Sequence, residues 1–353
     1  MNQTVSEAQL NTESQVKDIL GTIDREREQE IIGRRFGLFD RKETLEQIGE
    51  MLGITRERVR QLEKSVLIKL RQSAEKGNLP HVAAFEKEVL GKLQGSGEAA
   101  RIKVLTNELT GNTDREEQSR IAFMCQLCVK LTYINEDDNH YSGVAVAKIY
   151  NEKQIKKQLT DLVAVIKDLG KPKSIEEIAK AANIDQPVKA AALASLSKKL
   201  ATLNGRWGLT KWPLVNPKNI RDKIYVILKE NGKQMHFNEI AEAIKESDFK
   251  RKDVTTQAIH NELIKDSRFV LIGRGIYALK EWGYKKGTVA DMITEVLKEA
   301  SEPLHRDEIV KRVLKSRFVK ETTILLNLQG KDQFKRVAKA TYTLEEEPAT
   351  SGQ

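Results

Sequence analysis

The sequence predicts a mainly α chain with small β-hairpin wings, a multidomain array of helix-turn-helix and winged-helix modules. Three observations carry this expectation. Residues 44–70 read as two short helices joined by a tight turn. Beyond residue 154 a Glu-Ile frame recurs three times, each time followed by a helical segment and a pair of short strands. The 353 residues, 39% hydrophobic and 31% charged, need more than one small core.

In chain order, residues 1–20 are polar and read as a leader or a short helix. The first module spans residues 21–76. Asp24 to Arg35 forms its support helix, closed by Phe36, Gly37 and Leu38 before a turn at Asp40. Leu45, Ile48 and Leu52 follow at helical spacing, Gly53 breaks that helix, and the Thr55 hydroxyl can cap the next. From there Val59, Leu62, Val66 and Leu70 share an inward stripe, so the core of the module closes within residues 24–70. Arg56, Glu57, Arg60, Gln61 and Lys64 point outward. A groove-reading helix needs this division, because one side must pack while the other enters the major groove. Arg matches guanine, Glu accepts from cytosine, and Gln pairs with adenine. The plainer reading of the pattern is an amphipathic hairpin with a solvated charged face.

The run REREQEIIGRRFGL (25–38), followed by TLEQIG, LGITRERVRQLE and LIKLR, resembles region 4 of the sigma-70 family in order and spacing over residues 25–71, about a seventh of the chain. The resemblance implies recognition of an upstream promoter hexamer and contact with the flap of the RNA polymerase β subunit. It implies Arg56, Glu57, Arg60 and Gln61 as base readers and Thr55 and Arg58 near the DNA backbone. Lys64 and Arg35 are further phosphate candidates. A complete sigma factor also has an aromatic-rich promoter-melting region and a long clamp-binding helix, and nothing in this sequence, at 5% aromatic residues, resembles either.

Residues 80–150 contain a helix from Phe85 to Leu93, a turn over Gly95 to Gly97 and two further helical runs, and they are a candidate fourth, degenerate copy of the later repeat. The second run, Ser119 to Leu131, holds Cys125 and Cys128. This spacing supplies half a zinc site, but there is no other cysteine, and His140 has no partner at finger spacing. Ile121, Met124, Cys125, Cys128 and Leu131 instead make one core stripe. The run INEDDNHYSG reads as a polar hairpin loop, and its Glu136, Asp137, Asp138 and Asn139 lack the alternate ligand spacing of a calcium loop.

Residues 155–215, 218–284 and 286–345 are the repeats. Their frames are KSIEEI, MHFNEI and LHRDEI, and their hairpins ATLNGRWGLTKW, RFVLIGRGIYALKEW and QFKRVAKATYTL. Phe269, Tyr277 and Leu279 keep the separations of Phe334, Tyr342 and Leu344 at an offset of 65. Helix, short strand, two helices and a hairpin is the order of a winged helix. His236 and His305 open equivalent copies, which points to capping or packing, and Trp207, Trp212 and Trp282 read as hairpin anchors. Gly273-Arg274-Gly275 offers a flexible cationic turn, with Arg274 a candidate phosphate or minor-groove contact. Residues 219–284 resemble a HARE-type helix-turn-helix through MHFNEIAEAI, TTQAIHNEL and RFVLIGRGIYAL. Relatives of that module occur in the δ subunit of bacterial RNA polymerase, in chromatin proteins and beside some restriction nucleases. Such wings bind either proteins or phosphates; ten Arg or Lys against four acids in residues 304–343 favour phosphates. The tail 346–353 is polar and reads as disordered.

A net charge of +9 and a pI near 9.2 favour a polyanionic partner, double-stranded DNA, over a small-molecule substrate. No stretch approaches the roughly 18 apolar residues of a membrane span, and the N-terminus lacks the basic end and apolar core of an export signal, so a cytoplasmic, nucleoid-associated protein is expected. Two cysteines exclude a disulfide framework. No acidic metal cluster, phosphate-cradling loop or nucleophile with a paired base is legible, so neither enzymatic activity nor a cofactor is expected. The expectation is a bacterial sequence-specific DNA-binding transcription protein, sigma factor-like but without a promoter-melting region. The alternative is a polymerase-associated accessory subunit resembling δ.

Overall fold

The chain folds as helices α1 (Thr12–Gly21), α2 (Glu26–Phe36), α3 (Leu45–Leu52) and α4 (Arg56–Glu75), followed by units that each add a small antiparallel sheet. The computed structural model describes residues 10–249, 251 and 253–345. Residues 1–9 of the polar leader and the tail 346–353 lie outside them. The described chain is mainly α with small β-hairpin wings, and it divides into two compact units, residues 1–211 and 212–353.

In the first unit α2 ends on Gly37 in the left-handed region. Thr44 and Gln47 form a reciprocal capping box on α3, and the Thr55 hydroxyl accepts from the Arg58 amide to start α4. A Cβ on Gly49 would meet the Ile54 carbonyl at 2.7 Å, so only glycine lets α3 close this tightly on the turn. Ile31, Ile48 and Val59, with half-buried Leu45, Leu52, Ile54 and Leu62, make a small core beneath the turn.

That core is only half of what holds the module, and closure within residues 24–70 does not occur. Ile32, Leu38, Val66 and Leu70 belong to a larger cluster that takes in Val16 and Ile19 of α1 and continues to Phe85, Phe123 and Met124. The polar leader thus contains a packed helix, because Val16, Ile19 and Leu20 suffice for one narrow buried stripe.

Residues 82–146 run α5 (Val82–Gly95), β1 (Ala99–Arg101), α6 (Ile102–Thr110), α7 (Arg115–Leu127), β2 (Leu131–Ile134) and β3 (Gly143–Val146), in sheet order β1-β3-β2. The helical run expected to reach Leu131 stops at Leu127. Cys128 is already extended, and Leu131 pairs with Val146. Cys125 and Cys128 are buried as the stripe requires, and burial pushes both thiols far above the usual range. Next come α8 (Glu152–Asp168), β4 (Lys173–Ser174), α9 (Ile175–Ala181), α10 (Pro187–Leu196), β5 (Leu200–Leu203) and β6 (Arg206–Leu209), in order β4-β6-β5. The acidic loop before β3 is tied to this copy: Lys156 Nζ lies 3.2 Å from Asp137 and Lys198 Nζ 2.7 Å from Glu136.

The second unit repeats the pattern twice. The first copy is α11 (Ile220–Asn231), β7 (Met235–His236), α12 (Phe237–Glu246), α13 (Thr256–Lys265), β8 (Phe269–Gly273) and β9 (Ile276–Leu279), in order β7-β9-β8. The second is α14 (Val289–Ala300), β10 (Leu304–His305), α15 (Arg306–Ser316), α16 (Glu321–Gly330), β11 (Phe334–Ala338) and β12 (Thr341–Leu344), in order β10-β12-β11. The offset of 65 survives in the register: Phe269 faces Leu279 as Phe334 faces Leu344, and a bulge follows Leu271 as one follows Arg336. His236 and His305 act as helix caps, each Nδ1 accepting an amide two residues on. Trp207, Trp212 and Trp282 are half-buried, and Trp282 packs against Val270, Ile272 and Ala278; in the second unit Phe269, Tyr277, Phe334 and Tyr342 fill the hairpin cores.

The turn Gly273-Arg274-Gly275 is packed rather than flexible. A Cβ on Gly273 would meet the Phe318 carbonyl at 2.7 Å, and one on Gly275, at φ 72°, would meet the His236 ring at 2.5 Å. Glycine serves close approach there. No helix among the described residues is long and apolar enough to cross a membrane.

Candidate nucleic-acid interface

The interface follows from how α4 is held. Its inward residues Val59, Val66 and Leu70 are buried, which turns Arg56, Glu57, Arg58, Arg60, Gln61 and Lys64 to solvent, with Thr55 exposed at the cap. No other segment of the first unit covers these side chains. Two arginines brace the module from behind. Arg27 Nη2 donates to the Leu52 carbonyl at 2.6 Å, closing the end of α3, and Arg71 Nε donates to the Gln126 carbonyl at 2.7 Å, tying α4 to α7.

The outward side chains are mutually paired. Arg60 forks onto both Glu57 oxygens at 2.7 and 2.8 Å, and Gln61 Nε2 reaches the same carboxylate at 3.4 Å. The hydrogen bond from Arg60 holds the Glu57 carboxyl below its usual range, and the same bond raises Arg60. Arg58 Nη1 donates weakly to Gln61 Oε1 at 3.4 Å. Arg56 Nη1 lies 2.8 Å from Glu46 across the turn, with 67% and 54% of the two side chains exposed. Pairs this open to water contribute little to stability and exchange readily. The forks are therefore preorganised on weak partners that a base edge or phosphate can replace.

Arg35 differs from the rest. It is half-buried, its Nε lies 3.4 Å from Glu63 of α4, and its Nη1 donates to the Glu43 carbonyl at 3.3 Å. These partners make it a strut between α2 and α4, with 37% of its side chain still exposed. Lys64 stays exposed on a groove shared with Arg60, Leu67, Ile68 and Arg71. Arg274 is exposed at its hairpin turn in the second unit. Sequence reasoning did not find Glu46 or Glu63, whose roles depend on partners ten or more residues away. Among the described residues no group of three or more metal-ligating side chains comes together.

Residues 25–72 match the family model for sigma-70, region 4. The match begins at the residue preceding α2 and ends inside α4, so it covers the helices that form the small core and the exposed face. A relative, the RNA polymerase sigma factor SigA of Bacillus sp, is 50% identical over 58 residues, which is 16% of this chain and 15% of that protein. The chain thus spans about a seventh of the length of this relative.

The third helices of the two copies in the first unit do not present comparable faces. From Glu117 to Leu127 nearly all of α7 is buried, against α1, α2 and α4. α10 packs against β1, where Arg101 donates to the Ser195 carbonyl, and a Cβ on Gly97 would meet the Val188 carbonyl at 2.5 Å. In this unit both are packing elements. Helix α4 of the region 4 module, by contrast, turns Arg56, Arg58, Arg60 and Lys64 outward.

Proposed function

We propose that this protein is a bacterial DNA-binding transcription protein that reads a promoter-like duplex through its region 4 module. The observation that carries the proposal is the outward, uncovered face of α4 within the segment that matches sigma-70, region 4. Arg56, Glu57, Arg60 and Gln61 discriminate bases, with Thr55, Arg58 and Lys64 at the phosphates and Arg274 a further contact. The same module touches the β flap of RNA polymerase. The rest of the described chain consists of hairpin-bearing copies with few aromatic residues, so promoter melting is left to another protein and the role is regulatory or accessory. The chain works without a cofactor and without catalysis.

Selection from a random duplex library at moderate salt tests this reading. One enriched site, lost in Arg56→Ala, is the expected result; no enrichment refutes base reading.

A second reading, a polymerase-associated accessory subunit in which residues 219–284 act as a HARE-type module resembling δ, is favoured by one feature. The third helices of the second unit expose Ile264 and Leu326, at 60% and 68%, rather than a cationic row. Such faces suit protein contacts. Capture of core polymerase by the full chain without any enriched DNA site supports this alternative.

A further inference from the structure

The four hairpins differ at their tips. The first carries Glu136, Asp137 and Asp138, and the second turns through Asn204 and Gly205. The last two align residue by residue through the offset of 65, so Val270, Leu271, Ile272, Gly273 and Arg274 correspond to Lys335, Arg336, Val337, Ala338 and Lys339.

In the third hairpin Val270 and Ile272 are buried with Trp282 and Tyr284 around them, and its far edge is covered by the following copy. There the Phe318 amide donates to the Ile272 carbonyl at 3.1 Å. In the fourth hairpin only Phe334 of β11 is buried, and residues 335–339 are all exposed. At the two strand positions before the bulge the scaffold carries Val270 and Leu271 in one copy and the exposed Lys335 and Arg336 in the next.

Among the described residues Lys335, Arg336 and Lys339 have no carboxylate partner, and Arg336 Nε donates only to the Ala338 carbonyl at 3.2 Å. Arg306 is drawn to the same end, its amide donating to the Ala340 carbonyl at 2.8 Å, but its charge is answered by Asp307 at 3.3 Å. A polar cap that merely ended a row of repeats would be served by either sign of charge. Here every added charge is positive. The neighbouring third helix, α16, cannot supply a groove reader, since Glu321 is its one charged residue and Leu326 its most exposed aliphatic.

We propose that the β11–β12 hairpin, through Lys335, Arg336 and Lys339, is a second and sequence-independent contact for the phosphates of duplex DNA. It rests on the proposed function only for the identity of the partner as DNA. Lys335 and Arg336 lie on β11 and Lys339 in the turn that follows, and the bulge after Arg336 adds local twist between them. The hairpin holds the duplex by charge, and α4 supplies the choice of site.

The test is fluorescence titration of the full chain, wild type and the triple variant Lys335→Ala, Arg336→Ala, Lys339→Ala, with a random-sequence duplex and with the enriched site across a salt series. The variant is expected to lose the same factor on both duplexes, and its log–log salt slope should be shallower by about 2.7, from about 0.9 per phosphate contact. Arg56→Ala should lose affinity on the enriched site alone. An unchanged slope on random DNA overturns the proposal, as does loss of polymerase capture with DNA binding intact. If no site is ever enriched, base reading by α4 fails while the random-duplex slope still judges the hairpin. Arg336→Lys, which keeps the charge, should bind the random duplex as wild type does while Arg336→Ala loses affinity, and melting of each variant should match wild type.

Discussion

Arg120→Ala should destabilise the first unit more than any change on the reading face. Arg120 and Glu117 are 9% and 8% exposed, and the Arg120 guanidinium joins three segments distant in sequence. Nε donates to the Leu38 carbonyl at 2.9 Å, Nη1 meets Glu117 at 3.1 Å, and Glu117 accepts from the Thr12 hydroxyl at 2.7 Å. Glu116 and Glu13 stand at 3.5 and 3.6 Å with about half their surface in water, so they add little. Removing one partner of a buried pair costs about 3–5 kcal/mol, because the other charge stays behind uncompensated. Water reaches the outer edge of this site, which favours the lower end, about 3 kcal/mol, or a fall in Tm of about 6–12 °C for a unit of this size. Urea unfolding of the full chain gives the loss, and hydrogen exchange locates it in α1 and at residues 36–40. Arg120→Met with Glu117→Leu should recover most of it by removing the orphaned charge. A loss under about 1 kcal/mol with unchanged exchange in α1 would refute the argument.

On the reading face, Arg56→Ala or Gln61→Ala should cost roughly 1–3 kcal/mol at the preferred site and relax base choice there, whereas Lys64→Ala should weaken all duplexes alike; equal losses on random DNA in binding titrations would count against base reading. Deleting residues 285–353 should leave the circular dichroism and exchange pattern of the first unit unchanged, while a fragment of residues 21–76 should lose protection in the second half of α4, whose Val66 and Leu70 pack on residues beyond it. The Asp137 carboxyl is held well below its usual range by the His140 ring, with the Asn139 amide assisting. Because the folded value is depressed, its contribution is complete above the ordinary Asp value of about 3.9 and is lost as pH falls below it. Asp137→Asn should therefore flatten the acid limb of a stability–pH curve, and an unaltered limb would show that this pairing is not coupled to folding.

The reading helix was legible because its signals are local. A hydroxyl at Thr55, glycine at position 53 and aliphatics at Val59, Val66 and Leu70 fix both the start of α4 and the direction of Arg56 and Gln61 within a few residues. The offset of 65 likewise foretold the strand register of two hairpins, since a bulge and an inward ring repeat with the chain. The sequence did not show that Arg35 is a strut, that α1 is core, or that α7 is buried along nearly its whole length and α10 packs on β1. Periodicity reports that a face is covered and is silent about what covers it.

By itself, then, the sequence determined where α4 begins, which residues point outward on it, and the register of the two hairpins that repeat at an offset of 65. The tertiary structure decided which of those outward faces remain open. Contacts such as Arg120 to Leu38, 82 residues apart, and Phe318 to Ile272 leave no local pattern. Whether a hairpin strand is covered like Ile272 or open like Val337 depends on which neighbour the fold brings beside it.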